Sequence, residues 1–79
     1  MAIKVLENLS DHQTVIEIRT EDTPGLLHYL TRVISEQGFN IHSARIATWG
    51  YEARDAFYIS TRDGGKLSLD DLERLSGAL

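Results

Sequence analysis

Asp22-Thr23-Pro24-Gly25-Leu26-Leu27 is the stretch on which the fold turns: an alternating pattern runs into it and a helical pattern runs out of it. Upstream, Thr14-Val15-Ile16-Glu17-Ile18-Arg19 has the period of two that predicts a strand over Thr14–Thr20. Ile16 and Ile18 face inward there, and Val15, Glu17 and Arg19 face the other way. Downstream, apolar residues fall at Leu26, Leu27, Leu30, Val33 and Ile34, the stripe of a helix over Pro24–Gln37 with one buried face. At the junction Thr23 is expected to cap that helix through its hydroxyl. Pro24 suits the first helical position, where a backbone N–H lacks an intrahelical partner anyway. Gly25 has no Cβ and leaves room for another molecule or strand against the backbone. The N–H groups of a helix start carry partial positive charge and suit a carboxylate or phosphate. Read without a ligand, the same residues make an ordinary helix start.

Outward from the junction the remaining elements follow. Ile3–Glu7 is a short candidate strand, and the polar run Asn8–Gln13 is a turn that folds it onto Thr14–Thr20. Gly38 sits where a left-handed C-terminal cap belongs, with Phe39 folding back over the helix end. Asn40–Thr48 reads as a third strand with Ile41, Ala44 and Ile46 inward. Those positions do not alternate cleanly, which predicts a bulge near His42-Ser43. Trp49-Gly50-Tyr51-Glu52 turns the chain into a fourth strand, Arg54–Thr61, with Phe57 and Ile59 inward. Arg62–Lys66 is a loop, and Ser68 caps a second helix with Asp71 in capping-box position. Leu69, Leu72, Leu75 and Leu79 form its buried stripe.

The order is ββαββα, which predicts an α+β fold: a two-layer ferredoxin-like sandwich with both helices on one face of a four-stranded antiparallel sheet. A ferredoxin-like chain runs βαββαβ, its last strand at an edge beside the first. Here Ile3–Glu7 is expected to fill that edge instead, as in a permuted sheet.

Seventy-nine residues make one domain with a thin core that association would help. There is no cysteine, which removes disulfides, thiol nucleophiles and CxxC metal carriers. The net charge of −4 shows no basic stripe for nucleic acid. No apolar run approaches the roughly 20 residues that span a bilayer, so neither a nucleic-acid nor a membrane partner is expected. The opening residues make no signal peptide, and a cytoplasmic setting is expected. The ending Ser76-Gly77-Ala78-Leu79, just after a helical pattern, suggests a fragment of a longer protein.

Chemistry-bearing residues are sparse. His12, His28 and His42 share no ligand spacing, so no metal is expected, nor any cofactor. Ser43, Ser60 and Ser68 lack a base partner, and no residue is assigned a catalytic role. Asp63-Gly64-Gly65-Lys66 lacks the spacing of a phosphate loop. An RNA-recognition reading through Phe57 and Tyr58 fails because adjacent strand residues face opposite ways. An acylphosphatase-like reading needs an arginine in the loop Glu21–Gly25, which holds two acids and no base.

Asp22-Thr23-Pro24-Gly25-Leu26-Leu27 after a strand, followed by Gly38-Phe39-Asn40-Ile41 at a strand start, resembles the ACT domain, a small ferredoxin-like module that regulates enzymes by binding amino acids. Three further runs are similar to one branch of it, the C-terminal ACT domains of bacterial PII uridylyltransferase/uridylyl-removing enzymes. They are Thr14–Arg19, Asn40-Ile-His-Ser-Ala-Arg-Ile-Ala-Thr48 and Asp55-Ala-Phe-Tyr-Ile59. The likeness covers roughly residues 3–75. It implies a regulatory part of a larger enzyme that senses glutamine and sets the uridylylation of the PII protein, with no catalytic domain of that enzyme in this chain. It also implies pairing with a second ACT domain, in tandem or as a homodimer.

An amino-acid site needs a cradle for the carboxylate and an acceptor for the ammonium. The backbone amides of Gly25, Leu26 and Leu27, beside Thr23, suit the first; Asp22 or the Asn40 side-chain oxygen suits the second. The resemblance implies a ligand between this loop and the third strand of a neighbouring domain, which brings in Asn40 and Ile41. The alternative is a purely structural module that pairs two copies without a ligand.

Overall fold

The computed structural model describes residues 1–79, and its elements come in the order expected. They are β1 (Ala2–Val5), β2 (Thr14–Glu21), α1 (Leu26–Glu36), β3 (Asn40–Trp49), β4 (Glu52–Ser60) and α2 (Leu69–Ala78). The four strands form one antiparallel sheet in the order β1-β2-β4-β3. The β1 strand thus occupies the edge beside β2, the place that a final strand fills in a ferredoxin-like chain.

Period two decides what faces the helices. Ile16 and Ile18 on β2 and Phe57 and Ile59 on β4 are fully buried, and Leu30, Val33 and Ile34 of α1 and Leu75 of α2 close over them. The end of α1 is a Schellman turn: Gly38, at φ 90°, donates to the Ser35 carbonyl, and Phe39 donates to that of Ile34. The turn folds Phe39 into the core beside Ile34. At α2, Ser68 Oγ accepts from the Asp71 N–H while the Asp71 carboxylate accepts from the Ser68 N–H, a complete capping box.

Several local expectations are corrected. The first strand is Ala2–Val5 and not Ile3–Glu7, although Leu6 still donates to the Val15 carbonyl past its end. Val15 lies on the sheet face away from the helices, yet it is buried. Tyr58 is its partner across the ladder, and it shares a cleft with Leu6, Glu7 and Asn8. On β3 the bulge falls between Ile41 and Ser43, but Ala44 and Ile46 are exposed. β3 is the sheet edge: α1 runs close to it, but the core takes its buried strand residues from β2 and β4, with Ile41 of β3 packed against them. On α2, Leu69 is exposed, and Leu67, just before the helix, is buried in its stead; its N–H is held by Thr14 Oγ1.

The largest correction concerns α1. It begins at Leu26 and not at Pro24, and its N-cap residue is Gly25 in the left-handed region at φ 76°. The Thr23 hydroxyl makes no capping bond; its carbonyl accepts from the Leu26 N–H instead. A left-handed turn is open to glycine without strain, so Gly25 sets the entry angle of the helix that Thr23 and Pro24 were expected to set.

Candidate functional site

The β2–α1 loop is tied to the β3–β4 turn by one strong bond, from the Asp22 N–H to the Tyr51 carbonyl at 2.7 Å. This tie holds the start of α1 over the sheet end where β3 finishes and β4 begins. A cleft of about 220 Å³ lies between them, lined by Asp22, Thr23, Gly25, Leu26, Leu27 and His28 above and by Ile46, Thr48, Ala53 and Asp55 below. That is smaller than the roughly 300–1,000 Å³ of pockets for drug-sized ligands and suits a much smaller molecule.

The upper wall is a row of backbone donors. Tyr29 donates to the Gly25 carbonyl and Leu26 to that of Thr23, whereas the N–H groups of Gly25, Leu27 and His28 have no acceptor within the chain. The first turn carries no acidic side chain and no side-chain cap. The positive end of α1 is therefore open toward the cleft, a setting that favours an anion. Of the three amides expected to cradle a carboxylate, Gly25 and Leu27 are free and Leu26 is engaged.

The lower wall holds a group that the sequence reading passed over. Asp55 is 2% exposed, and its Oδ1 is buried without any hydrogen-bond partner. It pairs across the ladders with Ile18 on one side and Ile46 on the other. Burial pushes its carboxyl above the usual carboxylate range; the Ala47 N–H works against that shift and the charge of Asp22 adds to it. The signal was present in the pattern: inward Phe57 and Ile59 place Asp55, two residues earlier, on the same core-facing side of β4.

Asn40 and Ile41 lie elsewhere in the same copy. Asn40 pairs with Ser60 at the start of β3, whereas the cleft sits by Thr48 at its far end. Eight residues of strand separate the two, on the order of 25 Å. Within one chain, then, Asp22, Thr23, Gly25, Leu26 and Leu27 come together and Asn40 and Ile41 do not join them. His42 lies near Asn40, its Nε2 2.7 Å from the buried Ser60 hydroxyl. A second, larger cleft of about 320 Å³ opens between the β1–β2 turn and the start of α2, lined by Val5, Asn8 and Leu69 among others. It contains no buried polar atom without a partner.

A family model described as the ACT domain matches residues 14–76. The chain is 44% identical over 66 residues to the bifunctional uridylyltransferase/uridylyl-removing enzyme of Rhodopseudomonas palustris, which covers 84% of this chain and 7% of that enzyme. The enzyme of the same description from Bradyrhizobium diazoefficiens is 48% identical over 59 residues, covering 75% of this chain and 6% of the enzyme. Its counterpart from Acinetobacter baumannii is 39% identical over 77 residues, covering 98% of this chain and 9% of the enzyme. The chain spans less than a tenth of the length of these relatives. A crystal structure of an unknown protein from Galdieria sulphuraria superposes with a TM-score of 0.68 at 20% identity, over 86% of this chain and 39% of that one, a likeness of fold alone. With the family match running through β2, α1, β3, β4 and most of α2, the chain belongs to the ACT domain family.

Proposed function

We propose that this chain is an amino-acid-sensing regulatory domain, responsive to glutamine, within a larger cytoplasmic enzyme that adds and removes uridylyl groups on the PII signalling protein. The observation that carries the sensing role is the open start of α1, whose unpaired amides face a cleft of small-molecule size. The larger enzyme and its nitrogen-regulatory task rest on the similarity to the uridylyltransferase/uridylyl-removing enzymes.

A homodimer, or a tandem pair, completes the arrangement. β3 is a ten-residue edge strand, nearly all of it exposed, and a long bare edge is a template for another strand. If two copies join antiparallel through β3, the start of one strand lies beside the end of the other. Asn40 and Ile41 of one copy then approach Ile46 and Thr48 of its neighbour, at the mouth of the cleft. Pairing thereby unites the residues that a single chain holds apart.

Thermal unfolding of the purified chain with glutamine tests the reading, with glutamate, serine, phenylalanine and isoleucine alongside. A ligand at 100 times its dissociation constant stabilises by about 2.7 kcal/mol, and each kcal/mol moves Tm by roughly 4–8 °C in a domain of this size. A shift selective for glutamine supports the nitrogen-sensing role. A shift with another of these amino acids moves the sensor to a different pathway, and none at all removes the sensing role. The bare β3 edge, with Ile46 and Trp49 exposed beside it, favours a second reading, a pairing module without a ligand. That reading predicts a dimer by sedimentation and no thermal shift.

A further inference from the structure

We propose that Asp55 is the ammonium-binding group of the cleft, so that one chain supplies both halves of a recognition site for a zwitterionic α-amino acid: amides of the α1 start for the carboxylate and the Asp55 carboxylate for the amine. This assignment rests on the amino-acid-sensing reading above and deepens it.

Two independent observations meet here. The first is the set of free N–H groups at Gly25, Leu27 and His28, at the positive end of an eleven-residue helix. The second is a carboxylate on the opposite wall, 98% buried, with Oδ1 unpartnered. A buried, unpaired carboxylate oxygen is expensive, and native structures rarely keep one without a reason. No arginine or lysine approaches it; the ion pairs of the chain are Arg19 and Arg54 with Glu52, Arg32 with Glu36, and Arg74 with Asp71. Its surroundings are Ile18, Ile46 and Ala53, which leave Asp55 desolvated and give a cationic partner little competition from water. Asp22, in the loop above, adds a second negative charge to the cleft.

The polarity of the site follows from this placement. A dicarboxylate without an amine meets the amides of α1 but also the Asp55 charge, and is repelled. A simple amine meets Asp55 and the positive helix end, and is repelled in turn. Only a molecule carrying both groups satisfies both walls. Asp22, exposed and screened, contributes to attraction and less to selection.

The test compares glutamine with glutaramate (4-carbamoylbutanoate), which is glutamine without its α-amino group, on the full chain and on Asp55→Asn. Binding is read by calorimetry, after circular dichroism has shown that the variant keeps the fold. The parent is expected to prefer glutamine by roughly 10- to 100-fold, the worth of a charge-assisted hydrogen bond. Asp55→Asn is expected to bring the two ligands to near parity by weakening glutamine and not glutaramate. Parent preference retained in Asp55→Asn overturns the role of Asp55 and leaves amino-acid sensing standing. Failure of the parent to bind any of the twenty amino acids overturns sensing and this assignment together. If another amino acid binds in place of glutamine, the same comparison is run with that amino acid and its deamino analogue. If Asp55→Asn does not fold, the side-chain carboxyl carbon of Asp55 is followed by NMR in the parent. It must move with glutamine and stay in place with glutaramate, and equal response to both contradicts the assignment.

Discussion

The two helices of this domain begin in opposite ways. At α2 the chain caps its own helix start: Ser68 and Asp71 exchange hydrogen bonds, Asp70 and Asp71 place negative charge in the first turn, and the N–H groups of Leu69 and Asp70 are left without an acceptor. At α1 nothing of the kind happens. The N-cap is a left-handed glycine, the first turn carries no acid, and three amides have no acceptor. Both helices pack on the same sheet face, so a general need for stability does not explain the difference. A helix start with a purely structural task can cap donors with its own side chains, as α2 does at Ser68 and Asp71. The start of α1 keeps its donors free above a cleft that also holds an unpaired buried carboxylate.

Substitutions can break this contrast from either end. Gly25→Ala should have the largest effect on stability. The added methyl meets no atom within 4 Å, but its backbone is held at φ 76°. A left-handed alanine costs about 1–2 kcal/mol, so Tm should fall by roughly 4–16 °C for a domain of this size. Ser68→Ala, which opens the capping box of α2, should cost about 1 kcal/mol and leave the response to glutamine intact. His28→Glu converts the α1 start toward the α2 type by placing an acid in its first turn. It should add about 0.3–1 kcal/mol of stability while weakening glutamine, because the new carboxylate competes for the amides. Thr23→Ala should change stability by less than about 0.5 kcal/mol, since its hydroxyl caps nothing. Chemical or thermal denaturation checks all four, and a loss at Thr23→Ala equal to that at Ser68→Ala would erase the contrast.

A further test reads only a sign. Burial raises the carboxyl of Asp55, so its charged form weakens the native state. The stability tied to this group is whole below the ordinary pKa of about 3.9 and is lost as pH rises through the raised value. Asp55→Asn escapes that loss, and its stability relative to the parent should grow as pH climbs from about 4. Asp71 is the reverse case: the Ser68 N–H holds its carboxyl below the ordinary range. Its contribution is present above the unfolded value and lost as pH falls through the lowered one, so Asp71→Asn should trail the parent at neutral pH and draw level in acid. Unfolding midpoints between pH 3 and 7 should therefore diverge with opposite slopes for the two variants; slopes of one sign would contradict the account.

What was legible in the sequence and what was not divides along physical lines. The spacing of Ser68 and Asp71 marks the capping box, and periodicity marks the strands and the helices, because burial of one face leaves its mark at every second or every third and fourth residue. Ile16, Ile18, Phe57 and Ile59 were found in this way. At the entry to α1, Thr23-Pro24 carries the composition of a cap, while the geometry is set by the left-handed turn of Gly25. The pattern of β3 predicts Ala44 and Ile46 inside, but on a sheet edge the inward face can stay exposed, as it does here. Of the site, the loop residues Asp22 to Leu27 were visible as a local motif. The inward period of Phe57 and Ile59 already includes Asp55; that its carboxylate is left without a partner depends on what lies across the sheet, where its neighbours are Ile18 and Ile46. Asn40 and Ile41 rest on family likeness, and within one chain they lie apart from the cleft.

The most direct test of the central claim is an amide NMR titration of the ¹⁵N-labelled chain with glutamine, comparing the two helix starts. The account predicts that the signals of Gly25, Leu27 and His28 move with a common dissociation constant, while those of Leu69, Asp70 and Asp71 stay in place. Movement confined to the start of α2 and the cleft beside it, or no movement at any amide up to millimolar glutamine, would contradict it.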